Sequence, residues 1–369
     1  MRILFLGDYS GFHATLAKGL RRLGHECIVV SDGSGYMDTS RDIDLHRKPG
    51  KLNSLKYLSQ IAGLIPKFKN FDVVQLINPC FFRLKPAKLR YFFNKIKKHN
   101  GIIGLSLAGT DSLHAQALLN SQLLRYSEYK INGQLTAAAK SHGIQGWLAD
   151  NLIEYCEYIY SQADVAVSAL YEYHILAQSF DHKPPLFYGG IPIDTDQLKF
   201  REYTPRESGK INILVGIKKE QIQLKGTDIL LNAAKEVERR HPQKCTVNVA
   251  ENLKLSDYIS LVDDSDIILD QIFSYTPATN ALQALAMGKI TFSGAEPEFY
   301  DFIDEKSIRP IVNALPDYNS IVESLENIVT SPDDLLARIS REGRVFVEKY
   351  NSVDVVTNNF LEAWNQTIK

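Results

Sequence analysis

The stretch from Ser274 to Gly294, SYTPATNALQALAMGKITFSG, sets Thr276, Thr279, Asn280 and Gln283 at the opening of what otherwise reads as a buried helix feeding a buried strand. At 3.6 residues per turn Ala278, Leu282 and Leu285 share one apolar face, whereas Thr276, Asn280 and Gln283 share another that packing alone does not require. Thr276 is expected to cap this helix, Pro277 to take its first position and Gly288 to end it. No acidic side chain stands in the first turn, so the N–H groups of Ala278, Thr279 and Asn280 can receive a phosphate anion.

Two further turns carry groups of the same kind. In VGIKKEQIQLKGTDILLNAAKEV a strand ends at Gly216, Lys218 and Lys219 occupy the turn, and Lys225 and Gly226 precede a helix. Lysines converging on a helix start make a clamp for a diphosphate; the alternative is a solvated basic loop. In GDYSGFH, Gly7 and Gly11 bracket a strand-to-helix turn. Gly11 is either a phosphate or sugar contact or simply the glycine such a turn needs, and His13 is expected on the surface at the helix start. The order is not GxGxxG, which argues against a dinucleotide site.

The elements that would position these turns alternate in type. RILFL, CIVV, DVVQLI, IIGLSLA and DVAVSA are short and rich in β-formers, with amphipathic stretches such as FHATLAKGLRRLGH between them. This alternation predicts an α/β fold with parallel sheets wrapped by helices. The rhythm restarts after KFREYTPRESGK with INILVGI, CTVNVA, DIILDQI and KITFSG. Two doubly wound units joined near residues 200–210 follow, and the mainly helical stretch from Asp111 to Gln162 reads as an insertion in the first. The turns beyond the strands' carboxyl ends are then the natural binding positions.

A chain of 369 residues, 44% hydrophobic and 23% charged, is long enough for two cores. Cys27, Cys80, Cys156 and Cys245 lie far apart without ligand spacing, so neither a disulfide framework nor a zinc site is indicated and a reducing, cytoplasmic setting is expected. The apolar opening is too short for a signal segment, and no run of about 20 apolar residues occurs. The formal net charge of −1 conceals an asymmetry: Arg47 to Lys98 holds thirteen basic residues against Asp72 alone, +12, leaving −13 for the rest. Within it, FFRLKPAKLRYFFNKIKKHNG interleaves Phe81, Phe82, Tyr91, Phe92 and Phe93 with cations. Residues 47–98 thus read either as a face for an anionic membrane, peripheral on its inner side, or as a solvated helix whose aromatics pack inward. No stacking motif for nucleic acid is present, and none is expected as a partner.

LKGTDILLNAA followed by ALQALAMGKITFSGAEPEFYDFI resembles the donor half of GT-B glycosyltransferases, in particular family 4. ADVAVSALYEYHIL and LFYGGIPIDTDQLKF are similar to the segments that close the acceptor domain of that family. The resemblance implies a GT-B fold, two Rossmann-like domains facing across a cleft: residues 1–205 for the acceptor, 206–345 for the nucleotide-sugar donor, and a C-terminal helix at about 345–369 returning to the first. It places Lys225 on the donor diphosphate, with Lys218 or Lys219 replacing an arginine missing after Gly216. The two motif glutamates fall on Tyr275 and Gln283, the latter meeting the ribose through one acceptor oxygen; Thr279, Asn280 and Ala281 complete the donor contacts. Ala108 stands where the family often has histidine, which leaves Thr110, Asp111 and His114 as candidates to touch sugar or acceptor; Asp111 and Lys225 are the catalytic candidates.

The implied reaction moves a sugar from a nucleotide diphosphate to a glycan or lipid-linked acceptor with retention of configuration. Fixed cations and a helix start stabilise the departing diphosphate, so no metal or other cofactor is expected. DDSD, Asp263 to Asp266, reads as a solvated turn rather than a metal motif. A GT-B-like nucleotide-sugar epimerase and a non-catalytic sugar-nucleotide or glycan-binding protein remain the alternatives.

Overall fold

The computed structural model describes residues 1–141, 144–251, 253 and 255–367. The chain divides into two units, residues 1–123, 143–192 and 353–369 in one and residues 124–142 and 193–352 in the other.

In the first unit seven strands form one sheet: β1 (Arg2–Leu6), β2 (Glu26–Ser31), β3 (Ile43–Asp44), β4 (Val73–Leu76), β5 (Ile102–Leu107), β6 (Val165–Ser168) and β7 (Leu186–Tyr188), in the order β3-β2-β1-β4-β5-β6-β7. Every pairing is parallel. Continuous apolar runs such as Ile3 to Leu6 are what a sheet covered on both faces demands, and all four residues are fully buried. The helix Val353–Thr367 belongs to this unit and packs on Phe12–Arg22. Gly19 permits that approach, since a Cβ there would lie 2.2 Å from Thr357 Oγ1. Trp364 Nε1 donates to Gln75 Oε1 on β4 at 3.0 Å.

The second unit holds five parallel strands: β8 (Ile211–Ile217), β9 (Cys245–Glu251), β10 (Ile267–Leu269), β11 (Ile290–Ser293) and β12 (Val312–Asn313), in the order β9-β8-β10-β11-β12. Successive side chains serve opposite cores. Ile213, Val215, Ile267 and Leu269 join one cluster, and Leu214 and Ile268 join the other. Both sheets are doubly wound, and the order reverses beside β1 in the first and beside β8 in the second, where such folds open a crevice at the carboxyl ends.

Two features depart from the sequence expectation. Residues 124–142 lie in the second unit rather than in an insertion of the first. Tyr126 stacks on Tyr275 with centroids 5.0 Å apart, and the Arg125 N–H donates to Tyr275 Oη at 2.6 Å. The units divide at residues 192/193 and 352/353 because the linker residues are held by the helix Asp333–Tyr350. Ile193 N donates to Asn351 O at 2.7 Å, and Arg344 donates to the carbonyls of Thr195 and Leu198.

Candidate functional site

Beyond the carboxyl end of β10 stands Asp270, buried to 2% exposure. Its Oδ1 accepts from Lys225 Nζ at 3.3 Å and from Asn280 Nδ2 at 3.0 Å, and its Oδ2 accepts from Ser293 Oγ at the end of β11 at 3.1 Å. Tyr258 Oη donates in turn to Asn280 Oδ1 at 2.8 Å. A buried carboxylate therefore joins a lysine and an asparagine from separate elements, leaving Lys225 about a third exposed. Lys225 ends the short helix Ile222–Lys225, and Gly226 follows at φ 67°, where a Cβ would meet Ile272 Cδ1 at 2.4 Å. Asp270 carries no motif in the sequence; the one signal is its position as the first residue past an apolar strand.

The helix beside it runs Thr279–Ala286. Its N-cap is Ala278, without a side-chain cap and with no acid in the first turn; Thr276 is buried before the helix and neither it nor Pro277 opens it. That corrects the expected start by two residues. Among the described residues none accepts from the backbone N–H groups of Thr279, Asn280 and Ala281. Gln283 lies three residues beyond Asn280 and is partly exposed, while Leu282 and Leu285 are buried. Gly288, at φ 83°, follows the helix end. Lysine, uncapped N–H groups and Gln283 together suit an anion bearing a polar extension.

Other candidates are placed differently. Lys218 is partly buried in the turn after β8, and Lys219 pairs with Glu251 at 2.5 Å. Tyr275, one of the two positions aligned with the motif glutamates, is buried at 2% exposure and turned onto residues 125 and 126. The carboxylate of this region is Glu296, also buried, which accepts from Arg125, from Tyr126 Oη and from Asn313 Nδ2. In the DDSD turn Arg206 takes Asp264 and Asp266. Among the described residues no three His, Cys, Asp or Glu side chains gather as a metal site.

In the first unit the turn after β1 is closed by its own acid. Gly11 is the N-cap of Phe12–Arg22 at φ 79°, but buried Asp8 accepts from the backbone N–H of His13 at 2.8 Å and from Thr39 Oγ1 at 2.8 Å. Burial raises the Asp8 carboxyl above its usual value while those hydrogen bonds oppose the rise. A phosphate at Gly11 would have the buried Asp8 carboxylate beside it. His13 is fully buried, not superficial: Nδ1 lies 2.7 Å from Gly7 O and Nε2 3.1 Å from Ser106 Oγ. Desolvation lowers its pKa to about 3.

Asp111 is engaged as a helix cap. It is 1% exposed and caps the helix Ser112–Asn120, accepting from the N–H groups of Leu113 and His114 at 2.9 and 3.0 Å and from Tyr160 Oη at 2.9 Å. Burial works to raise its pKa, but the His114 ring and these donors hold it below the usual value. His114 is buried against the rings of Tyr173 and Phe180. Thr110 remains partly exposed at this edge, 3.4 Å from Tyr173 Oη.

In the basic segment Phe81, Phe82, Phe92 and Phe93 are buried and only Tyr91 of the five aromatics is exposed. Four of them thus pack inward, as the plainer alternative has it. No described helix is long and apolar enough to cross a membrane.

No protein-family model matches the chain, and no curated protein matches its sequence. Solved structures do match its fold. A glycosyltransferase from Rickettsia africae aligns at TM-score 0.58 and 16% identity over 100% of this chain and 99% of its own. The Anabaena protein HepE, solved with UDP and glucose, aligns at 0.62 and 11% over 99% and 100%. A protein from Listeria monocytogenes described as a UDP-N-acetylglucosamine 2-epimerase aligns at 0.55 and 12% over 97% and 94%. The fold is therefore that of the GT-B glycosyltransferases, with two Rossmann-like parallel sheets along one chain.

Proposed function

We propose that the protein is a glycosyltransferase that draws its sugar from a nucleotide diphosphate donor bound at the carboxyl edge of the second sheet. The observation that carries the reading is the buried Asp270, which holds Lys225 and Asn280 together beside the uncapped start of Thr279–Ala286. Lys225 and the N–H groups of Thr279, Asn280 and Ala281 receive the diphosphate, and Gln283 meets the ribose. As the glycosidic bond breaks, negative charge grows on the diphosphate, and a fixed lysine with oriented N–H groups stabilises it without reorganising. On this reading the reaction needs no metal, retains configuration, and passes the sugar to a glycan or lipid-linked acceptor. The HepE complex with UDP and glucose supports the ligand class.

A sugar-nucleotide binder without turnover is the second reading, favoured by the capping role of Asp111, which removes the expected acceptor-side acid. Incubation with UDP-sugars and cell glycan or glycolipid extracts separates them: released UDP together with a glycosylated product supports transfer. Binding without product favours the binder, and isomerised free donor points to the epimerase chemistry named for the Listeria protein.

A further inference from the structure

The cations of residues 47–98 are sorted by the fold into paired and unpaired sets. Arg83 pairs with Asp32 at 2.6 Å, Arg90 stacks over Tyr158 at 3.8 Å, and Lys97 donates to Gln162. Asp72 turns away, accepting from Arg2 N. Lys51, Lys56, Lys67, Lys69, Lys88 and Lys95 are exposed and form no ion pair with any described residue.

The helix Lys51–Leu64 buries only Tyr57 and Ile61. Leu52 and Leu55 are 85% and 65% exposed, and with Leu58 and Ala62 they follow one face at spacings of three, three and four. This face runs into a groove of about 570 Å³ shared with the helix Pro86–Lys97, whose walls include Leu58, Ile65, Ala87 and Phe92 and whose rim carries Lys88 and Lys95. Exposed Tyr91 stands at the same edge. An apolar stripe costs solubility unless something covers it, and here it is surrounded by cations.

We infer that this face docks on the surface of an anionic lipid bilayer, with Leu52, Leu55 and Tyr91 entering the acyl boundary and the lysines meeting the headgroups. A soluble polyanion would use the lysines but gain nothing from the leucines. A second copy of the chain would bring two like-charged faces together across the contact. The surface follows from residues of the first unit alone and does not depend on the donor reading.

Sedimentation with vesicles of phosphatidylcholine, or of phosphatidylcholine mixed with phosphatidylglycerol, tests it on the full chain. Binding is expected to the mixed vesicles only and to weaken with salt. Each lysine reversed in Lys88→Glu and Lys95→Glu lowers partition about fivefold or more, and Leu52→Ser with Leu55→Ser lowers it about tenfold. Lys235→Glu, on the second unit, leaves it unchanged. Absent binding, or equal binding to both vesicles, overturns the proposal. So does loss on charge reversal that the leucine pair does not share, which would mark a soluble-polyanion site. Self-association abolished by Leu52→Ser with Leu55→Ser would show that the face is an interface between copies.

Discussion

Replacing Lys225 by Met removes the ammonium and keeps most of the stem, which isolates what the charge does. The Nζ lies 3.3 Å from Asp270 Oδ1, a gross attraction of about 5 kcal/mol at an effective dielectric near 20. The lysine side chain is 31% exposed, so screening and the order imposed on a long side chain bring the net contribution down to about 1 kcal/mol. Asp270 also keeps its donors Asn280 and Ser293. Folding should therefore weaken only slightly. Diphosphate binding should weaken far more, because a charged hydrogen bond contributes about 1.5–3 kcal/mol, a factor of roughly 10 to 150 in Kd. Calorimetry with UDP and with uridine reads the difference: Lys225→Met should lose most of its affinity for UDP and none for uridine. Gln283→Ala should lose about 0.5–1.5 kcal/mol with both. Unchanged UDP binding by a folded Lys225→Met would refute the assignment of the diphosphate to this edge.

His13 is neutral in the fold because its pKa falls from 6.5 to about 3. Between those values the unfolded chain binds the extra proton, so stability is full above about pH 6.5 and falls as pH drops. Urea unfolding should show about 2 kcal/mol lost between pH 7 and pH 5 that His13→Gln does not lose. Asp111→Ala should cost about 1–2 kcal/mol as a lost helix cap, while Asp111→Asn keeps an acceptor and should keep both stability and turnover; a hundredfold fall in kcat for a stable Asp111→Asn would return this residue to the catalytic machinery. Gly19→Ala sets a Cβ 2.2 Å from Thr357 Oγ1 and should cost about 1–3 kcal/mol in the same assay.

Much of the architecture was legible because the central strands of both sheets are buried on two faces, which writes them as apolar runs such as Ile3 to Leu6 and Ile213 to Val215. Lys225 and Asn280 were legible as polar groups in turns that packing did not need. What joins them was not: Asp270 is a single letter after IIL, and its burial depends on Ser293 and Asn280 arriving from elsewhere in the chain. Asp111 has the composition of a reactive acid and of a helix cap alike, and Tyr160, 49 residues away, weighs toward the cap. His13 stands five residues past Asp8 and four past Tyr9 in a polar turn; its buried ring meets Ser106, 93 residues distant. Tyr275 aligned with a motif position but is held by Arg125 and Tyr126, 150 residues earlier, a pairing no local pattern announces.

The return of the helix Val353–Thr367 to the first unit bears on how the protein is made. Trp364 bonds to Gln75 across 289 residues, and Phe360 stacks on Phe12 at 6.0 Å. A ribosome that has released residues 1–192 has released every strand of the first sheet but not the helix that closes over Phe12–Arg22. Domains usually complete their folding in order of synthesis, N-terminal first. Here the N-terminal unit must wait with an apolar helix face uncovered while the whole of the second unit emerges, at 5–20 residues per second roughly ten seconds or more. During translation the face of Phe12–Arg22 that Val353–Thr367 covers thus stays open until almost the whole chain has been made.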